Sequence, residues 1–157
     1  MPEETPTARS VMDPHPSVLR ETDRIVDGAR IIMGHRYRNV PVVDAEGRYL
    51  GIFGVNCLLR LVLPKAVLVE QGLRTVPYVR DTLKELRQRL AEVEDEPVVY
   101  CLKDDAPVVS PDTPLVETLL ILYRNRISLP VVEPESGRLV GMISYFDVGE
   151  KIQAQEL

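Results

Sequence analysis

The chain has 157 residues, 45% of them apolar and 27% charged, with a formal net charge of −5. That is the composition of a soluble globular protein, long enough for one ordinary domain or two small units sharing a core. Charge of both signs offers no basic face for nucleic acid, and no apolar run approaches the ~20 residues of a membrane span.

The opening MPEETPTARS is acidic and proline-rich and lacks the basic start and apolar core of a signal peptide. Residues 1–10 therefore read as a disordered tail. The two cysteines, Cys57 and Cys101, lie too far apart for a disulfide framework or a metal pattern, which points to the reducing cytoplasm.

Ser17 to Leu19 reads as a short strand, and Thr22 or Asp23 as the cap of the helix that follows. In that helix Ile25, Ala29, Ile32 and Met33 form one apolar stripe, which ends near Gly34. After HRYRN, residues 35–39, come a strand from Val40 to Val43, the turn DAEGR and a strand from Tyr49 to Phe53. A second helix covers Asn56 to Leu63 and stops at Pro64.

The segment 64–97 is longer than a linker requires. Val79, Leu83, Leu86, Leu90 and Val93 step by four and three, an amphipathic helix with a heptad-like stripe. It packs on its own module or serves as a dimer or partner surface. The preceding LVLPKAVLVEQGL is apolar enough to be partly covered, for example by a second subunit.

Thr113 before Pro114 reads as a cap-then-first-turn pair opening a helix to about Arg126, with Leu115, Leu119 and Leu122 on one side. Leu129 to Val132 and Leu139 to Ile143 are strands around a turn at Gly137, and a last helix runs from near Phe146 toward Gln155, weakened by Gly149.

These elements repeat. NVPVVDAEGRYLGIFGVNC at 39–57 matches SLPVVEPESGRLVGMISYFD at 128–147. Pro41, Val42, Val43, Gly47, Arg48 and Gly51 fall on Pro130, Val131, Val132, Gly137, Arg138 and Gly141. Upstream, Val18, Leu19 and Ile25 fall on Val108, Val109 and Leu115, all at an offset of 89 or 90.

Each copy resembles a CBS domain, and the tandem resembles a Bateman module. The resemblance implies an α/β (α+β) fold of two CBS units, each β-α-β-β-α, related by a pseudo-twofold axis with an extra helix between them. Unit 1 is expected at 11–63, the inter-unit segment at 64–97 and unit 2 at 98–157.

No nucleophile elbow, phosphate loop or dinucleotide glycine pattern occurs, and the two histidines, His15 and His35, have no catalytic setting, so no enzyme activity is expected. In the family, an aspartate opening the last helix holds the ribose of an adenine nucleotide, and a hydroxyl residue three before it adds a contact. The matching residues are Asp147 and Ser144. A carboxylate suits a ribose diol, and a helix N-terminus favours negative charge. Asp147 also reads as an ordinary helix cap.

By resemblance, Ile127, Ser128 and Pro130 line the adenine slot together with the segment from Val109 to Thr113, and Arg124 and Arg126 reach phosphates. Thr113 and the arginines have plain readings too, as a cap and as solvated charges. In the first unit Gly54 and Cys57 stand where Ser144 and Asp147 do. A thiol cannot hold a diol, so that site looks degraded, and Cys57 reads as a small buried apolar residue. His35, Arg36 and Arg38 would supply phosphate contacts across the cleft.

The resemblance thus implies a stand-alone regulatory module that senses AMP, ADP or ATP and acts in trans on an enzyme or transporter. S-adenosylmethionine is a further ligand candidate, and a homodimer through the CBS helices is expected. No covalent cofactor, metal, nucleic acid or membrane insertion is expected. The alternatives are a ligand-free dimerisation module and a metal or polyphosphate binder using the basic cluster.

Overall fold

The computed structural model describes residues 5–68 and 80–157. The apolar 4-3 stripe through the middle segment begins at Val79, which lies outside the described residues along with the last five residues of LVLPKAVLVEQGL.

In the first half, β1 (Leu19–Arg20), α1 (Ile25–His35), β2 (Asn39–Val43), β3 (Tyr49–Gly54) and α2 (Val55–Val62) follow the predicted order. The short α3 (Lys65–Leu68) and then α4 (Leu83–Val93) come next. The second half has α5 (Leu115–Asn125), β4 (Leu129–Val132), β5 (Leu139–Ile143) and α6 (Tyr145–Gln153). Single 3-10 turns, Ala8–Ser10 and Val98–Cys101, precede the two halves.

In the first sheet β1 pairs parallel with β2 and β2 antiparallel with β3. The second has β4 antiparallel to β5, with Val109 adding only a parallel bridge to Val131. Gly47 and Gly137 hold φ of 80° and 73° in the hairpin turns, a conformation that costs a side chain-bearing residue more. The two hairpin tips meet. Tyr49 N donates to Gly137 O and Leu139 N donates to Gly47 O, at 2.9 and 3.1 Å, a pair of bonds that the pseudo-twofold interchanges.

Two helix starts differ from expectation, in the same way. Neither Thr22 nor Asp23 caps α1; the Asp23 carboxylate instead accepts from Arg20 N at 2.8 Å, and Asp27 reaches back to Arg24 N at 3.1 Å. Thr113 likewise accepts from Ser110 N at 3.0 Å, and Pro114 is the residue before α5. A short polar side chain can close a turn onto the residue three before it as readily as it caps a helix. Met33 leaves the α1 stripe and is 62% exposed. Its place is taken by Gly28, where a Cβ would lie 2.7 Å from the Phe53 ring, so the helix can approach the sheet closely.

The tail expectation fails from Thr5 onward. Ala8 is fully buried in the second core with Val11, Val109, Leu122, Leu129, Val131, Ile143 and Val148. Ala8 N donates to Thr113 O at 2.8 Å and Leu115 N to Pro6 O at 3.0 Å. The backbone groups ahead of α5 are satisfied by this segment, and its small apolar side chains fill the space beside the helix.

The counterpart ahead of the second half does the same for the first core. Val98 and Cys101 are buried with Leu19, Ile25, Ile32, Val40, Val42, Phe53, Cys57 and Leu58. Val98 N donates to Asp23 O at 2.8 Å and Ile25 N to Glu96 O at 2.9 Å. Val98 to Cys101, expected in unit 2, thus pack on the first core. Each half lends its leading segment to the other.

Helix α4 packs through Leu90 and Val93 on the first core, while Leu83 is 85% exposed. Thr82 caps it, accepting from Glu85 N at 3.3 Å, and Arg89 ties it to α2 through Val62 O at 3.2 Å.

Candidate functional site

Strand β5 hands over to α6 at Ser144, where a capping box forms. Ser144 Oγ accepts from Asp147 N at 3.1 Å, and Asp147 Oδ2 accepts from Ser144 N at 3.1 Å and from the Ser144 hydroxyl at 2.8 Å. The cap and the predicted ligand role thus fall on the same carboxylate. Oδ2 is saturated, whereas Oδ1 accepts no hydrogen bond among the described residues. Its two lone pairs suffice for two vicinal hydroxyls.

Asp147, Ser144, Phe146, Met142 and Ser128 line one side of a cavity of about 280 Å³. The other side comes from the first half: Asp13, Pro16, Ser17, Tyr37, Asn39, Val40 and Pro41. Two carboxylates and no cation line it. Its size lies near the lower end of the ~300–1,000 Å³ usual for small-molecule sites.

A second cavity of about 320 Å³ lies against the first half and has the opposite charge. Arg38, Lys103 and Arg126 line it with Asn39, Ile52, Gly54, Val55, Asn56, Cys57, Asn125 and Ile127, and no carboxylate. Asn39 borders both cavities. Its Nδ2 donates to Ser128 O and its Oδ1 accepts from Ser128 N, both at 3.3 Å. Asn39 and Ser128 are equivalent positions of the repeat, so this pair bonds across the pseudo-twofold between the two cavities.

The glycine in place of Ser144 has a physical cause. A Cβ at Gly54 would stand 2.5 Å from Arg38 O, because β2 and β3 stay paired through Asn39 and Gly54. In the second half the pairing stops one residue earlier, at Leu129 and Ile143, and leaves room for the serine. The first site has therefore lost both the hydroxyl and the carboxylate.

Of the predicted site residues, Asp147, Ser144 and Ser128 share the acidic cavity, while Ile127, Arg126 and Arg38 share the cationic one. The expectation that Val109 and Thr113 line the adenine slot is not met by their positions. Val109 is a buried bridge residue, Thr113 is bound to its own turn, and Pro130 is buried within β4. The exchange of leading segments explains this: the stretch beside Asp147 comes from the other half, at Asp13, Pro16 and Ser17. Residues 107–113 belong elsewhere.

His35 and Arg36 line neither cavity. Arg36 ends α1 at φ 57°, as Arg126 ends α5 at 53°. The His35 ring stacks on Tyr37 with centroids 5.0 Å apart, and Tyr37 is the residue that reaches the acidic cavity. Arg38 Nη1 donates to Arg126 O at 3.3 Å, closing one end of the cationic cavity. Pro16, Ser17, Tyr37, Asn39, Val40, Pro41, Met142, Phe146 and Asp13 were not foreseen at the acidic cavity. The repeat could have pointed to Asn39, which aligns with Ser128.

Among the described residues no cluster of His, Cys, Asp and Glu could hold a metal, and no helix is long and apolar enough to cross a membrane.

A family model described as CBS domain matches residues 8–64 and 91–153. Over 53 residues the chain is 36% identical to the chloroplastic CBS domain-containing protein CBSX2 of Arabidopsis thaliana, covering 34% of this chain and 22% of that protein. Over 146 residues it is 26% identical to the A-adding tRNA nucleotidyltransferase of Aquifex aeolicus, covering 92% of this chain and 14% of the enzyme. The chain thus spans less than a quarter of the length of the curated relatives it matches.

Among solved structures, the acetoin utilization protein AcuB of Vibrio cholerae superposes with a TM-score of 0.69 at 23% identity, covering 95% of this chain and 92% of AcuB. CBSX2 in complex with AMP gives 0.67 at 19% identity, covering 94% and 96%. The CBS domain pair of MJ0100, in complex with 5′-methylthioadenosine and S-adenosyl-L-methionine, gives 0.62 at 15%, covering 97% and 99%. At such identities the likeness is one of fold. The two matched regions take up more than half of the sequence and coincide with its internal repeat. The chain belongs to the CBS domain family, as a tandem pair.

Proposed function

We propose that this CBS pair is a regulatory module that binds an adenosine-containing ligand, AMP, ADP or ATP, beside Asp147 and modulates a partner in trans. The observation that carries the reading is the free Oδ1 of Asp147 at a helix N-terminus, in a cavity walled by both halves. A ligand there touches both halves at once, so it favours the arrangement that fits it, and a partner reads that arrangement. Structures of similar fold that hold AMP or S-adenosyl-L-methionine support the ligand class.

The cavity itself carries no cation. Phosphates on a ribose held by Asp147 would turn past Asn39 and Ser128 toward Arg38 and Arg126 of the neighbouring cavity. The two carboxylates of the cavity suit the sulfonium of S-adenosylmethionine, so a nucleotide depends on those two arginines for its phosphates. The regulated partner is an enzyme or transporter, the module itself does no chemistry, and it works in the cytoplasm. Val116, Leu120 and Tyr123, spaced by four and three on α5 and all exposed, supply an apolar face for pairing with a second copy through the CBS helices.

The test is thermal unfolding of the wild type and of Asp147→Asn with AMP, ADP, ATP and S-adenosylmethionine in turn. Ligand at ~100 times its dissociation constant adds about 2.7 kcal/mol, and the variant should lose that shift. No shift with any of the four would instead leave a ligand-free dimerisation module, in which Asp147 only caps α6.

A further inference from the structure

The two cysteines, far apart in sequence, are neighbours in the fold. Cys57 sits in the first turn of α2 and Cys101 ends the 3-10 turn lent to the first core. The Cys101 thiol donates to Cys57 O at 3.6 Å, which sets its sulfur against the first turn of α2. Arg60, one turn along α2, donates from Nη2 to Cys101 Sγ at 3.0 Å.

Both cysteines are nearly buried, Cys57 5% and Cys101 4% exposed, and of the two it is Cys57 that borders open space. Cys57 and Arg60, the two partners of Cys101, line an open cavity of about 450 Å³ together with Lys103, Asp104 and Asp105. Lys103 is paired with Asp105 at 3.1 Å, which leaves Arg60 directed at the sulfur. Cys57 also borders the cationic cavity.

We propose that Cys57 and Cys101 are an oxidation site, closing reversibly to a disulfide when a peroxide enters that cavity. The Cys101 thiolate attacks one peroxide oxygen: an S–O bond forms, the O–O bond breaks, and hydroxide leaves and takes up a proton. The Cys57 sulfur then attacks the sulfenic acid; an S–S bond forms, the S–O bond breaks, and water departs with the Cys57 proton. Two thiols are oxidised and one peroxide is reduced to two waters.

The polarity of the pair fits that order. The bond from Cys57, with the Arg60 guanidinium, holds the Cys101 thiol below the usual thiol range although burial opposes this. The bond to Cys101, with burial, holds the Cys57 thiol above it. A thiolate beside a cation is the attacking partner, and a protonated thiol beside it resolves the product. The link would fasten α2 to the 98–101 segment and so fix one wall of the cationic cavity, away from Asp147.

The experiment is peroxide treatment of the full chain without denaturant, followed by intact mass and peptide mapping. The expected result is a monomer lighter by two hydrogen atoms, a Cys57–Cys101 linked peptide, and full recovery with dithiothreitol. Cys57→Ser should stop at a sulfenic acid on Cys101 that dimedone traps. Arg60→Gln should slow the loss of free thiols by roughly tenfold. Thiols that stay free in folded wild type would overturn the proposal, as would links only between chains. The wild-type map needs no variant to fold and no nucleotide to bind, so its result is independent of the Asp147 reading.

Discussion

Tyr49 carries a buried polar group at the edge of the first sheet. Its hydroxyl is buried and finds no hydrogen-bond partner among the described residues. Burial, with Asp104 nearby, pushes its pKa up from 10.0 to about 12. The folded state therefore holds the phenol proton more tightly than the unfolded chain does. The stability this represents is present in full below pH 10 and is lost as pH rises toward 12. Tyr49→Phe should remove that alkaline loss, visible as a flatter melting temperature between those two pH values. At neutral pH the variant should be no less stable, because phenylalanine leaves no buried hydroxyl without a partner. Residues of this kind mark how far the sequence could be read. The helix cap at Asp147 was legible because an aspartate stands where the strand pattern gives way to a helix. Asp23 and Thr113 were not, because the same side chain serves a turn or a cap and only the backbone path decides between them. The free edge of Asp147 was a matter of which oxygen the capping box uses, and no spacing encodes that.

At the scale of elements, period and punctuation carried the helices and strands, since Pro64, Gly47 and Gly137 mark stops and turns by backbone chemistry alone. The leading segments escaped, because stretches as short as Ala8–Ser10 and Val98–Cys101 have no period to detect. Ala8 is their sharpest test. Ala8→Asp places a carboxylate at a site with no exposure and should cost about 2 kcal/mol or more. In a chain of this size that is roughly a 4–8 °C drop in melting temperature. A disordered tail would tolerate the change with no drop at all, so calorimetry separates the two outcomes. Gly28 makes the same point for α1: Gly28→Val should cost about 1–3 kcal/mol, because its methyls would meet Phe53 and Leu19. Chemical denaturation of the variant would show a lower midpoint.

The whole molecule is a repeat whose copies have diverged in charge. One cavity is acidic and holds the Asp147 carboxylate, engaged through Oδ2 alone among the described residues; the other is cationic and has neither hydroxyl nor carboxylate. If the nucleotide spans the boundary at Asn39, Arg38→Ala and Arg126→Ala should weaken ATP and ADP by about tenfold, the share of one charge-assisted contact, and adenosine hardly at all. Equal weakening of all three, measured by calorimetric titration, would mean the phosphates point elsewhere.

The exchanged leading segments have a consequence for where such a protein came from. A single ancestral copy, half this length, would have left its own helix without the turn that buries it. Two such copies could only have completed one another by trading those turns, as a symmetric pair. Tying them into one chain fixed the stoichiometry at one to one and freed each side from having to be its own mirror. From then on a glycine and a cysteine could settle on one side while a serine and an aspartate were kept on the other. A symmetric pair of identical chains would carry the same residues at both sites, so the lopsidedness of the two cavities is open only to a chain that holds both halves.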